Sequence, residues 1–264
     1  NHGDPDRETL NLLPTKEGMD YYRDEDGNYW RIYLFIAGAS CYDQVKRPED
    51  FYQSARAFGR FQCLLADFPA SALNETIPNF HNTPIRFQAF EEAVAQDKMG
   101  RVSEVEKEIQ FVREREKEMG LALAMQKDGL LPLRVSHNDT KLNNIMIDDT
   151  TGEALCIIDL DTIMPGFSIF DYGDSIRFGA NTAEEDERDL SKVSLSLPLF
   201  DVYTKGFLEG SSRVSFLFLV DGIKIRVDTF TSNQRWRMDS DYILTGISKA
   251  DVVVQALNEA RRRS

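Results

Sequence analysis

The chain has 264 residues, 42% of them apolar and 28% charged, which is material enough for a sizeable core in one large or two smaller units and leaves little case for global disorder. Thirty-one Lys and Arg against 44 Asp and Glu give a net charge of −13, which argues against a nonspecific nucleic-acid or anionic-membrane binder, since both need a positive field. The apolar run Val214 to Val220, with one Ser inside it, is far short of the ~20 residues of a membrane-spanning helix.

The amino terminus, Asn1-His2-Gly3-Asp4-Pro5, has no initiator Met, basic region or apolar signal core and reads as an internal start of a longer chain. Cys41, Cys63 and Cys156 are widely spaced and form no CxxC, which suggests neither a disulfide framework nor a zinc site and favours a reducing, cytoplasmic compartment.

Tyr21 to Ile36 holds two aromatic-rich runs around a charged turn with Asp26-Gly27, and predicts a β-hairpin. Pro48, followed by Glu49 and Asp50, opens a helix expected to run to about Asp67, with Phe51, Ala55, Phe58, Leu64 and Leu65 at helical spacing. After a loop with Pro69, Pro78 and Pro84, two more helices are predicted, Ile85 to Ala95 and Val102 to Met119. They break at Gly100, and Val105, Ile109 and Val112 form the buried stripe of the second. Ile145-Met146-Ile147 and Ala154 to Ile158, joined by the turn Asp148 to Glu153, predict a second, strongly apolar hairpin. Composition changes near Gly210: residues 1–210 carry 22 basic and 38 acidic side chains, a balance of −16, whereas 211–264 carry 9 and 6, a balance of +3. The terminal Arg261-Arg262-Arg263 reads as a solvated end.

The informative stretch is His137-Asn138-Asp139-Thr140-Lys141-Leu142-Asn143-Asn144, followed fifteen residues after Asn144 by Asp159 at the end of an apolar strand. Phosphoryl transfer to an alcohol needs a carboxylate beside the attacking hydroxyl and oxygen ligands for Mg²⁺. Asp139, Asn144 and Asp159 offer those groups, and the hairpin between them brings the last back to the first two. Lys141, two residues after Asp139 in an extended loop, projects to the same side and supplies a cation for a γ-phosphate oxygen. A plainer reading makes Asp139 and Asp159 turn and strand-end residues and His137 a structural histidine; the combination of Asn144, Lys141 and the apolar strand favours the functional one. The three histidines, His2, His81 and His137, are far apart and lack the spacing of a metalloprotease.

At these residues the chain resembles the aminoglycoside phosphotransferase and choline kinase group of protein-kinase-like enzymes, through its H-x-D-x(4)-N and I-D-x-D motifs. Within that group, Thr140 to Asn144, Ile158 to Gly166 and Phe170 to Gly179 look like bacterial N-acetylhexosamine 1-kinases, over about residues 3 to 210. The resemblance implies a protein-kinase-like α/β (α+β) fold. Residues 1–38 would be the remnant of an amino-terminal lobe with the hinge, 39–210 a mainly helical catalytic lobe, and 211–264 a divergent tail arising from a shifted frame or foreign end.

It implies ATP and Mg²⁺ as cofactors, a small-molecule sugar as substrate, and no nucleic-acid or membrane partner. Asp139 would be the catalytic base, Asn144 and Asp159 metal ligands, and Asp161 a weaker metal or supporting candidate. Ile36 and Ala37, leaving the first hairpin, would pair with adenine through their backbone. Asp174 and Arg177, three apart on one helix face, would either bond a sugar or support the catalytic loop. Asp171 would brace that loop with His137 as its partner. The strands and phosphate-covering loop of the family's amino-terminal lobe have no counterpart in the sequence. A chain without that cover is expected to hold ATP phosphates weakly, since one preorganised donor is worth about 3 kcal/mol, and to be inactive alone. The alternatives are a kinase of another small alcohol or amino sugar, such as choline or an aminoglycoside, and a noncatalytic sugar- or nucleotide-binding fragment.

Overall fold

The computed structural model describes residues 3–183, 187 and 189–211, so the divergent tail lies, beyond Ser211, outside the described residues. Asp4 starts the short helix α1 (Pro5–Glu8) by accepting the Asp6 N–H. The expected first hairpin forms, but its strands β1 (Tyr22–Arg23) and β2 (Tyr29–Trp30) are two residues each, with Tyr22 opposite Trp30. Tyr22, Tyr29 and Trp30 are exposed, so no burial of one face extends the pairing. Strand β3 (Ala39–Ser40) follows after the buried Ile36.

Helix α2 (Pro48–Leu64) is the centre of the molecule. Its buried stripe runs through Phe51, Ala55 and Phe58 and then continues on Gln62, while Leu64 stands exposed. The expectation that Leu64 carries the apolar face is therefore corrected: the helix turns a polar side chain inward at that level and ends before Asp67. Helix α3 (Thr83–Gln96) is capped by the Asn82 side chain on the Ile85 N–H and ends at Asp97 in the left-handed region, φ 35°. The helix expected over Val102 to Met119 is broken into α4 (Glu106–Arg113) and α5 (Glu116–Met119). The break falls at Arg115, whose N–H shortens to the Val112 carbonyl and whose guanidinium takes the Phe111 carbonyl at 2.6 Å. Ile109 and Val112 are buried as expected, but Val105 precedes the helix and is exposed. Helix α6 (Leu121–Lys127) completes this segment.

Strand β4 (Arg134–Ser136) leads into the loop 137–144 and the apolar hairpin β5 (Ile145–Asp148) and β6 (Ala154–Ile157). Strand β7 (Met164–Gly166) returns antiparallel to β4, with Ser136 opposite Met164, and the other sheet has the order β3-β5-β6. Helices α7 (Ser168–Gly179) and α8 (Leu197–Gly210) follow. One core joins Phe51 and Phe58 of α2, Ile145 and Ile147 of β5, Tyr172 and Ile176 of α7, and Tyr203 and Phe207 of α8. Helices α2 and α8 approach through glycine: a β-carbon on Gly59 would overlap the Phe207 carbonyl oxygen, and one on Gly210 the Arg56 carbonyl oxygen. No helix among the described residues is long and apolar enough to cross a membrane.

Candidate active site

The loop between β4 and β5 is laced to α7 and to the segment after β6. Asp171 accepts the backbone N–H groups of His137 at 3.1 Å and Asn138 at 2.8 Å, and the Gln62 amide of α2 donates to it at 2.5 Å. One helical turn on, Asp174 accepts the Thr140 N–H at 2.9 Å, and the Ser175 hydroxyl donates to the Thr140 carbonyl at 2.6 Å. From the opposite segment, Thr162 donates its hydroxyl to the His137 carbonyl at 2.7 Å, and Asn138 donates its amide to the Thr162 carbonyl at 2.9 Å. These bonds hold Asn138 in the left-handed region at φ 66°, a conformation that costs a non-glycine residue on the order of 1 kcal/mol or more.

Asp139, at the apex, is half-buried. Asn144 donates through Nδ2 to the Asp139 carboxylate at 3.1 Å and to its carbonyl at 2.8 Å. Lys141 reaches the same carboxylate at 3.3 Å, on the side the extended-loop spacing predicts. The Ile158 N–H donates to the Asn144 carbonyl at 3.0 Å, so the residue after it, Asp159, starts beside Asn144. Asp159 itself is exposed and left-handed, φ 57°. His137 ties the two sides together: its Nδ1 accepts the Asp139 N–H at 3.3 Å, which leaves Nε2 to donate to the Ile158 carbonyl at 3.0 Å. Its ring stands edge-on to Phe58 and is buried, a structural histidine.

Other expected roles meet different surroundings. The partnership of His137 with Asp171 runs through the His137 backbone, not its ring. Asp161 is ion-paired with Arg31. Asp174 is bound by Arg177 at 2.9 Å as well as by Thr140 and is 3% exposed, so its carboxylate lies against the loop. Burial pushes the Asp174 carboxyl up, against the pull of Arg177, and pushes Asp171 up against its three donors. Ile36 is buried, and the exposed Ala37 gives its carbonyl to Arg7 at 3.1 Å, the group expected to meet adenine.

The sequence reading passed over Gln62, Thr162 and Ser175. Gln62 carried a signal, being a polar residue four after Phe58 on an apolar stripe; the other two carried none. A cavity of about 540 Å³ between α3 and α5 is lined by Glu91, Glu92 and Glu116 among others, but by none of the loop residues. Glu91 there is held by Arg113 at 2.7 Å.

Asn144 uses Nδ2 for both its donations, so Oδ1 is the atom it can offer a cation. An amide oxygen with the Asp159 carboxylate is a hard-oxygen set that suits Mg²⁺, which takes one or two protein carboxylates and completes its shell with phosphate and water. Among the described residues no group of three or more His, Cys, Asp or Glu is placed to hold a metal by itself.

A carboxylate on a braced loop, with an amide against it and a hairpin that returns the backbone of a second acidic residue beside that amide, fits an enzyme that moves phosphoryl groups. The family profile described as "Phosphotransferase enzyme family" matches residues 8–194, and the chain belongs to that family. Its mixed α/β build is the protein-kinase-like fold expected. Similar solved structures include a choline kinase from Cryptosporidium parvum Iowa II, 13% identical with a TM-score of 0.46, where the match covers 94% of this chain and 65% of that one. An aminoglycoside phosphotransferase from Alicyclobacillus acidocaldarius is 15% identical, with a TM-score of 0.42 and coverage of 97% and 77%. A Plasmodium vivax ethanolamine kinase is 14% identical, with a TM-score of 0.38 and coverage of 89% and 69%. The chain thus spans less than two thirds of the length of the choline kinase.

Proposed function

We propose that the protein is an ATP- and Mg²⁺-dependent kinase that phosphorylates the anomeric hydroxyl of an N-acetylhexosamine. The observation that carries the phosphotransferase part is the contact of Asn144 with Asp139, with Asp159 entering beside Asn144. The sugar part rests on the resemblance of Ile158 to Gly166 and Phe170 to Gly179 to N-acetylhexosamine 1-kinases.

In this reading Asp139 accepts the proton of the attacking hydroxyl, whose oxygen takes the γ-phosphoryl group as ADP leaves. Lys141 pairs with the Asp139 carboxylate and faces the transferring phosphate. Asn144 and Asp159 hold the metal, which when bound neutralises phosphate charge. Ile36 and Ala37 meet adenine once Arg7 releases the Ala37 carbonyl. Asp171, Asp174 with Arg177, and His137 fix the loop, so the base is preorganised rather than ordered by substrate. The substrate role of Asp174 and Arg177 is the weaker of their two, because both Asp174 oxygens are already bonded.

The test is ATP consumption, by this chain and by a length-restored one, with N-acetylglucosamine, N-acetylgalactosamine, choline, ethanolamine and an aminoglycoside, each repeated with Asp139→Asn. Turnover with an N-acetylhexosamine that the substitution abolishes supports the proposal. Turnover with a cationic alcohol alone overturns the sugar assignment, and thermal stabilisation by sugar or nucleotide without any turnover overturns the enzyme.

A further inference from the structure

Thr140, between Asp139 and Lys141, is fully buried, and all three of its hydrogen-bonding groups end on α7. Its N–H goes to the Asp174 carboxylate at 2.9 Å and its hydroxyl to the Asp171 carbonyl, while its own carbonyl takes the Ser175 hydroxyl at 2.6 Å. That carbonyl belongs to the peptide joining Thr140 to Lys141, so the grip on it sets the direction in which Lys141 leaves the loop. Ser175 is itself held from behind: Tyr203, in the middle of α8, donates its hydroxyl to the Ser175 oxygen at 2.6 Å, and both side chains are buried.

We propose that Tyr203 and Ser175 form a hydrogen-bond relay from α8 to the catalytic loop and are positioning residues for Lys141, the cation that meets the Asp139 carboxylate at 3.3 Å. This rests on the reading of Asp139 as the base with Lys141 at the transferring phosphate.

A serine inside a helix can turn its single proton to the carbonyl four residues back. For Ser175 that carbonyl is the one of Asp171, which already accepts the Thr140 hydroxyl. The Tyr203 O–H occupies the Ser175 oxygen as a donor, and the Ser175 proton goes on to the Thr140 carbonyl. Hydroxyls in series polarise one another, so the tyrosine strengthens a bond that it does not itself make. Its ring is wedged in place: the centroids of Phe51 and Phe207 lie 4.6 and 5.9 Å away. Gly206 of the same helix is pressed so closely on α2 that a β-carbon there would overlap the Tyr52 carbonyl oxygen. Burial pushes the Tyr203 hydroxyl well above the ordinary phenol range, which keeps it a donor.

A second hydroxyl pair joins the same two helices and supplies a control. Tyr172 of α7 and Thr204 of α8 share a hydrogen bond at 2.6 Å, and Thr204 donates to the Phe200 carbonyl, so this chain of bonds ends inside α8 rather than on the loop.

Two measurements test the relay in Tyr203→Phe, Ser175→Ala, the double variant and Tyr172→Phe. The first is steady-state phosphorylation, on this chain and on a length-restored one. Ser175→Ala is expected to lower kcat about tenfold and Tyr203→Phe about threefold to tenfold. Because Tyr203 acts through Ser175, adding Tyr203→Phe to Ser175→Ala should lower kcat no further, and Tyr172→Phe should leave kcat unchanged. An unchanged kcat in Ser175→Ala, losses that multiply in the double variant, or equal losses in Tyr172→Phe and Tyr203→Phe overturn the proposal. The second needs no turnover and follows the Thr140 carbonyl carbon by carbon-13 NMR. Weakening a hydrogen bond at that oxygen moves the resonance upfield. The relay predicts this shift in Ser175→Ala, a smaller one of the same sign in Tyr203→Phe, and none in Tyr172→Phe. A Thr140 resonance that ignores Tyr203→Phe overturns the relay whatever the kinetics show. If Asp139→Asn retains full turnover, the base reading is lost, and the carbonyl shift still decides the relay by itself.

Discussion

Asn144 holds Asp139 from two directions, its single amide nitrogen donating to both the carboxylate and the carbonyl of that residue at 3.1 and 2.8 Å. Replacing Asp139 by Asn keeps an oxygen for that nitrogen but removes the proposed proton acceptor. Asp139→Asn is expected to lower kcat by about 10²–10⁴ while moving the thermal midpoint by no more than about 3 °C. Steady-state turnover and a thermal melt on the same preparation check both halves; a large drop in midpoint would make the carboxylate structural.

The same geometry separates metal binding from loop support. Asn144→Ala removes an oxygen donor and the clamp on Asp139 together, whereas Asp159→Asn leaves the clamp in place. Both are expected to raise the Mg²⁺ concentration for half-maximal activity by about tenfold or more, and chelation of Mg²⁺ should abolish turnover in all forms. Only Asn144→Ala should also lower kcat at saturating Mg²⁺, which a magnesium titration of each variant reads directly.

The meeting of these loop residues was legible in the sequence because they are polar residues at fixed spacings in the loop that leads into an apolar hairpin. Asp139, Lys141 and Asn144 meet as the loop reading expects. What the sequence left hidden is the bracing, because it is contributed by tertiary neighbours: Gln62 lies 109 residues from Asp171, and Thr162 lies 25 from His137. The helix expected over Val102 to Met119 failed for a related reason. Its apolar spacing is continuous, but the Arg115 guanidinium competes for the Phe111 carbonyl and breaks the ladder, which periodicity does not register.

Asp171 shows what that bracing is worth. Its carboxylate receives two loop N–H groups and the Gln62 amide in a fully buried setting. An asparagine there turns an NH₂ toward donors, so Asp171→Asn is expected to destabilise the fold by about 3 kcal/mol, as read by chemical denaturation. Gln62→Leu, which removes one donor and leaves the other two, should cost less; equal stability of Asp171→Asn and wild type would sink the bracing role.

His81 makes stability depend on acidity. Its pKa falls from 6.5 to about 4 on folding because burial disfavours the charged ring, so between those values the unfolded chain binds a proton that the native state refuses. The contribution is complete above pH 6.5 and is lost as pH falls toward 4, by up to about 3 kcal/mol. Asp171, whose carboxyl is pushed up by burial, acts with the opposite sign over part of that range, so the wild-type curve alone mixes the two. The difference between wild type and His81→Phe isolates the histidine: the variant should lose less stability than wild type between pH 7 and 4.5, and parallel curves would contradict the burial of an uncharged ring.

Two glycines in helical or near-helical backbone should respond to the same substitution with opposite signs. Gly59 faces α8 where a β-carbon would meet the Phe207 carbonyl and the Ser211 nitrogen, both backbone atoms that cannot rotate aside. Gly120, between α5 and α6, has φ −88° and nothing within 4 Å of a built β-carbon. Gly59→Ala must push two core helices apart and is expected to destabilise by about 3 kcal/mol. Gly120→Ala adopts its native backbone without strain and loses less freedom on folding, which predicts a gain of about 0.5–1 kcal/mol. Denaturant midpoints of the two variants decide it, and because α2 also carries Gln62, Gly59→Ala should weaken catalysis along with stability while Gly120→Ala leaves turnover unchanged.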